Sequence, residues 1–159
     1  MIKIEKGNIL DATEDIIVQQ VNCKGVMGAG LAKAILNKYP NVKKEYQSFR
    51  NFNLNKGLTD KDLLGLVNYV QVSDGKVIAN VFGQVNIKKN CFDKTVYTKQ
   101  EALTRGLKEV KELSEQLNKS VAIPYGIGCG LAGGDWNIIS ELIDSVFSDY
   151  NVTIYKLDK

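Results

Sequence analysis

Eight of the chain's 14 glycines fall in two short segments, each set between a strand-like run and a helix-like run. The first reads Asn22-Cys23-Lys24-Gly25-Val26-Met27-Gly28-Ala29-Gly30. The second reads Gly126-Ile127-Gly128-Cys129-Gly130-Leu131-Ala132-Gly133-Gly134. Glycine lets backbone amides approach a ligand closely and reach φ > 0 without a Cβ clash. A helix that starts after such a loop adds unpaired N–H groups and a partial positive charge. Two loops of this kind make a cradle for an anion, most simply a phosphate or a diphosphate.

The runs around the loops predict an α/β fold. Ile2 to Lys6 reads as a short strand. Asp15 to Val21 is β-branched and mostly apolar, like a strand covered on both faces. Ala32, Ile35, Leu36 and Tyr39 then share a helical face that Pro40 closes. Val42 to Phe49 reads as a short second helix, and Asn51 to Leu58 as a polar loop. Leu64 to Val72 and Val77 to Phe82 flank Ser73-Asp74-Gly75-Lys76, which predicts an antiparallel hairpin. Gln84 to Lys94 reads as a long polar loop. From Tyr97 to Leu117 a stripe of Leu103, Leu107, Val110, Leu113 and Leu117 predicts the longest helix. Val121 to Pro124 is a short buried strand. Asp135 is placed to cap a helix with Ile139, Leu142, Ile143 and Val146 on its apolar face. Val152 to Leu157 is the last strand. The order predicts one domain over 1–159, an α/β/α three-layer sandwich with a six-stranded mixed sheet. Both glycine loops then leave carboxyl ends of strands, where open α/β sheets bind ligands.

Histidine is absent, which removes Ser-His-Asp and Cys-His catalysis and imidazole metal ligation. Proton transfer must use Asp, Glu, Lys, Tyr, Cys or an activated water. Gly28-Ala29-Gly30 lacks the third glycine and the acidic residue of a dinucleotide fingerprint, and no Gly-Lys-Ser/Thr follows either loop. The formal net charge is +3, too mild to argue for nucleic acid, and no basic run resembles a phosphate-tracking stripe. Cys23, Cys91 and Cys129 are scattered and odd in number, so neither a disulfide framework nor a zinc site is expected. No metal or other cofactor is expected. Met1 leads straight into Ile2-Lys3-Ile4 and no apolar run reaches membrane-spanning length, so a cytoplasmic protein without membrane contact is expected.

Asn22 ends a buried strand with a donor and an acceptor, suited to a sugar hydroxyl, a water or the turn itself. Asn8, after Gly7, has the same ambiguity. Cys23 and Cys129 read as small buried hydrophobes, since Lys24 is the one basic residue beside them. Asp135 reads first as a helix cap. Lys88-Lys89 forms either a solvated face or a phosphate clamp.

The ordered series Gly7-Asn8-Ile9-Leu10, Val21 to Ala32, Tyr39-Pro40 and Pro124 to Trp136 resembles a macro domain. The resemblance implies an ADP-ribose site. It puts the diphosphate between Gly25, Val26, Met27, Gly28, Ala29 and Gly30 on one side and Gly126, Ile127, Gly128, Cys129, Gly130, Leu131 and Ala132 on the other. It puts the adenine near Asn8, Ile9 and Tyr155, and the distal ribose near Asn22 and Gln84. Two branches are similar: ADP-ribose 1″-phosphate phosphatases, and glycohydrolases that remove ADP-ribose from protein or nucleic acid. The first branch carries a histidine where this chain has Gln19-Gln20. Many members of the second carry a lysine where this chain has Gln84, and some carry an acid at Ala132 or at Asp135. The expected function is hydrolysis of a 1″-phosphate, with Asn22 holding or polarising the attacking water; Asp135 is the second catalytic candidate, set beside Lys88 and Lys89 as a group to activate water or capture the anomeric carbon in a glycohydrolase. The alternatives are a glycohydrolase and a non-catalytic reader.

Overall fold

The computed structural model describes residues 1–157. Six strands form one sheet: β1 Ile2–Lys6, β2 Ile16–Asn22, β3 Val67–Gln71, β4 Val77–Gln84, β5 Val121–Pro124 and β6 Val152–Lys156. The four α-helices are α1 Gly30–Lys38, α2 Asn41–Asn55, α3 Gln100–Leu117 and α4 Trp136–Val146. The strand order is β1-β6-β5-β2-β4-β3. All neighbours are parallel except β3, which pairs antiparallel with β4 through the expected hairpin.

The period-2 alternation of β2 sends its side chains into two cores. Ile17 and Val21 join Ile78, Phe82 and Ala122 under α1 and α2, against Ile35, Val42 and Tyr46. Ile16 and Val18 join Ala79, Val81, Ile123 and Ile154 under α3 and α4, against Leu103, Leu107, Ile139 and Ile143. This is the expected three-layer α/β/α sandwich with a mixed sheet. Burial on both faces explains the near-continuous apolar reading of β2. No helix among the described residues is long and apolar enough to cross a membrane.

Two local expectations need correction. Asn51 to Leu58 is not a loop from its start, because α2 runs through Asn55. Val42, Tyr46, Phe49, Asn53 and Leu54 form its inward stripe, and the Asn53 side chain donates back to the Phe49 carbonyl at 2.8 Å. The polar outer face, rich in Asn, Lys and Gln, masked that continuation. The α3 stripe also ends early. Leu117 is exposed, while Ala102, Gly106 and Ser114 pack inward. Tyr97 and Thr98 precede α3, and Thr98 bonds to Gln20 and the Gly128 carbonyl instead.

Candidate functional site

The carboxyl ends of β2, β4 and β5 lie side by side and open into one cleft of about 490 Å³. That is within the range of small-molecule pockets, about 300–1,000 Å³. Its walls include Gln19, Gln20, Asn22, Val26, Gly28, Ala29, Gly30, Gln84, Ile87, Lys88 and Tyr125, and the stretch Gly126, Ile127, Gly128, Gly130, Leu131 and Ala132. Both glycine loops face it.

The two loops are built differently. α1 starts at Gly30 after Ala29, which offers no side-chain cap. Its first-turn N–H groups and dipole are therefore available to an anion. α4 is closed. Asp135 accepts the Asn137 N–H at 2.9 Å, so the second loop presents backbone rather than a helix end. Gly126 and Gly128 there have φ of +79° and +73°, a left-handed conformation that a side chain disfavours.

Asn22 holds the first loop. Its Oδ1 accepts the N–H groups of Lys24 and Val26 at 3.0 and 3.2 Å and the Tyr46 hydroxyl at 2.9 Å. Its Nδ2 donates to the Val26 carbonyl at 2.9 Å. Behind the loop, Arg50 donates to the Cys23 carbonyl and Gln47 to the Gly25 carbonyl. A register shift between Val21 and Asn22 sets Asn22 opposite Gln84 of β4.

Gln20 holds the floor. Its Nε2 donates to Gln84 Oε1 and to Thr98 Oγ1, each at 2.9 Å. Thr98 Oγ1 in turn donates to the Gly128 carbonyl at 2.6 Å. Gln84 Nε2 donates to the Asn86 carbonyl at 2.9 Å. The Gln20 Oε1 is buried without a partner. It fits there because Gly83 and Gly128 lack side chains, whose Cβ atoms would come within 2.3 and 3.0 Å of it. Gln19 points elsewhere and donates to Asn80 Oδ1 at 2.7 Å.

No family model matches the chain. It is 28% identical over 98% of its length to a DNA ADP-ribosyl glycohydrolase of Mycobacterium tuberculosis, of which it spans 42%. It is 24% identical to an ADP-ribose 1″-phosphate phosphatase of Saccharomyces cerevisiae, with 96% of each chain covered. The structure superposes on the macrodomain of Mycobacterium tuberculosis DarG with a TM-score of 0.78 and 26% identity, covering 98% of this chain and 97% of that one. The chain has the macrodomain fold.

Within this macrodomain fold, the glycine-loop residues expected at the ligand divide. Gly28, Ala29, Gly30, Gly126, Gly128 and Gly130 wall the cleft. Gly25, Met27 and Cys129 sit behind that surface, with Met27 packed into the core. Asn8 and Ile9 lie outside the cleft wall. Asn8 Oδ1 accepts the Leu10 N–H at 3.0 Å and caps a 3₁₀ turn, and Ile9 is buried. Tyr155 also lies outside it, and its hydroxyl donates to Glu14 at 2.6 Å. Asp135 caps α4 beyond the wall. Cys23 is fully buried, and burial pushes its thiol up to about 12. Burial likewise raises Cys129. Neither thiol is set up as a nucleophile.

Three contributors escape a sequence reading. Tyr125 lines the cleft, packs at a tilt against Trp136 with ring centroids 4.6 Å apart, and carries the Lys156 ammonium 4.5 Å from its ring centroid. Thr98 and Gln20 form the floor network. Two glutamines inside an apolar strand were the available signal for the last.

Proposed function

We propose that this chain binds ADP-ribose in the cleft and hydrolyses the distal end of ADP-ribose derivatives. The observation that carries this reading is the pairing of an uncapped α1 N-terminus with the Gly126–Ala132 backbone across one cleft. A diphosphate between them would accept charge-assisted N–H bonds from both sides. Tyr125 gives the adenine an aromatic wall. The distal ribose would then sit by Asn22, Gln84 and Lys88.

Lys88 brings an ammonium group to the wall and Tyr125 a phenol. A lysine ammonium suits a terminal phosphate as a point charge. Together with the Gln84 amide it would hold a 1″-phosphate, and Asn22 would orient the attacking water. The yeast phosphatase relative supports that choice. Lys88 also favours a second reading. A neutral lysine amine can bond to the anomeric carbon as the bond to the modified base or carboxylate breaks and that group leaves, and water then releases ADP-ribose and restores the amine; the mycobacterial relative is a glycohydrolase. Asp135 would serve either reaction only after leaving its helix cap. The three free cysteines fit a cytoplasmic setting.

Two assays run side by side test the reading. One follows phosphate release from ADP-ribose 1″-phosphate, and the other follows loss of ADP-ribose from modified protein and modified thymidine. Phosphate release supports the first reading, and demodification that Lys88→Ala abolishes supports the second. Tight ADP-ribose binding without turnover in either assay makes the chain a reader and overturns hydrolysis.

A further inference from the structure

We propose that the segment following β4, residues 85–99, is a finger that holds single-stranded nucleic acid beside the cleft. The placement next to the cleft rests on the ADP-ribose reading; the nucleic-acid contact itself does not.

The finger carries Lys88, Lys89, Lys94 and Lys99 against one acid, Asp93. Its net charge therefore equals the +3 of the entire chain. Such a cluster is too short to track a duplex, which matches the absence of a basic stripe. At its tip Phe92 is 84% exposed, the highest value among the exposed large hydrophobic side chains.

The exposure is held in place. The Asp93 carboxylate accepts the N–H groups of Lys89 and Thr95 at 3.1 and 3.0 Å and the Tyr97 hydroxyl. Those bonds hold Asp93 well below the usual carboxylate range. Asn90 Oδ1 accepts the Phe92 N–H at 2.9 Å. The base is tied to the second glycine loop, where Tyr97 and Thr98 donate to the Ala132 carbonyl at 2.7 and 3.2 Å. An ordered turn thus presents an aromatic ring among lysines.

A ring plus flanking cations is the chemistry that holds an unpaired strand. Bases stack on aromatic faces while ammonium groups meet phosphates, without sequence readout. A duplex hides its base faces and offers the ring nothing. An acidic polypeptide would meet the lysines and leave Phe92 unused. Ile87 and Lys88 belong to both the finger and the cleft wall. A strand lying on Phe92 would therefore bring a modified nucleotide to the cleft mouth.

The test is fluorescence anisotropy of unmodified dT12, rU12, a 12-bp duplex and a polyglutamate peptide with the intact chain. Phe92→Ala and the Lys89→Ala/Lys94→Ala double variant are the probes. Neither variant touches the proposed ADP-ribose contacts, so calorimetry with free ADP-ribose monitors the cleft separately. Expected are single-strand dissociation constants of about 10⁻⁴–10⁻⁶ M, at least roughly fivefold weaker for Phe92→Ala. The lysine variant should show a flatter salt dependence. Binding of dT12 but not rU12, or the reverse, assigns the strand type within the proposal. No single-strand binding, equal binding of Phe92→Ala, or preference for duplex or polyglutamate overturns it. Lost ADP-ribose affinity with intact dT12 binding would sink the cleft reading and leave the finger standing.

Discussion

Gln20 Nε2 donates to Gln84 Oε1 at 2.9 Å, joining the ends of β2 and β4 on the cleft floor. The same nitrogen reaches Thr98, and through it the Gly128 carbonyl. The second glycine loop is therefore held from the floor as well as by its own backbone. Gln20→Ala and Thr98→Ala should each cost about 1 kcal/mol of stability. Both should speed amide exchange at Gly128–Gly130. Gly83→Ala should mimic them, since its Cβ would displace the Gln20 side chain. Unchanged exchange in all three would mean the loop holds its shape without the floor.

Asn22 should matter more to the loop than to any proton. Asn22→Ala strands the Lys24 and Val26 N–H groups, at about 1–3 kcal/mol, while the Tyr46 hydroxyl keeps the backbone carbonyl of residue 22 as its acceptor. Tyr46→Phe should cost only about 1 kcal/mol, because both loop N–H bonds to Asn22 survive. Thermal unfolding combined with ADP-ribose calorimetry checks the ranking. Equal losses in the two variants would contradict it.

The glycines divide by what surrounds them. A Cβ at Gly130 meets nothing within 4 Å, and at Gly28 only Val26 at 4.0 Å. Neither has a positive φ. Gly28→Glu and Gly130→Glu should therefore fold while binding ADP-ribose at least roughly tenfold more weakly, about 1.4 kcal/mol. Gly134→Ala should instead lower the melting temperature, because its Cβ would sit 2.6 Å from the Gly128 carbonyl oxygen.

Much of this site was legible because its signals are local. The glycine loops, the strands feeding them, the hairpin and the Asp135 cap each follow from a few adjacent residues. The rest depends on distance in sequence. Gln20 meets Thr98 78 positions away, and no local pattern announces that contact. The half of α2 after Phe49 reads as polar because its solvent face outweighs Asn53 and Leu54. The unequal helix ends emerge once the two helix starts are compared, Ala29 offering α1 no side-chain cap and Asp135 capping α4.

The cysteines give a check on chemistry. Cys91 is exposed and Cys23 buried, so a thiol reagent at pH 8 should label Cys91 rapidly and spare Cys23 until unfolding. The raised Cys23 value also has a sign. Its stabilising effect is complete below the ordinary thiol value of 9.0 and is lost as pH climbs from there through about 12. Alkaline unfolding in that window should be milder in a Cys23→Ala variant. Rapid Cys23 labelling of the native protein would contradict its placement.

The most direct measurement is isothermal calorimetry of the unmodified chain with ADP-ribose, AMP and ribose 5-phosphate. In the proposed pose ADP-ribose would span both glycine loops and the distal end, whereas each of the two fragments carries a single phosphate and would make only part of those contacts. The cleft geometry predicts one site per chain and ADP-ribose affinity at least roughly tenfold above either fragment, a gap of about 1.4 kcal/mol. Equal affinity for AMP, or no binding of ADP-ribose, would contradict a diphosphate cradle between Gly28 and Gly130.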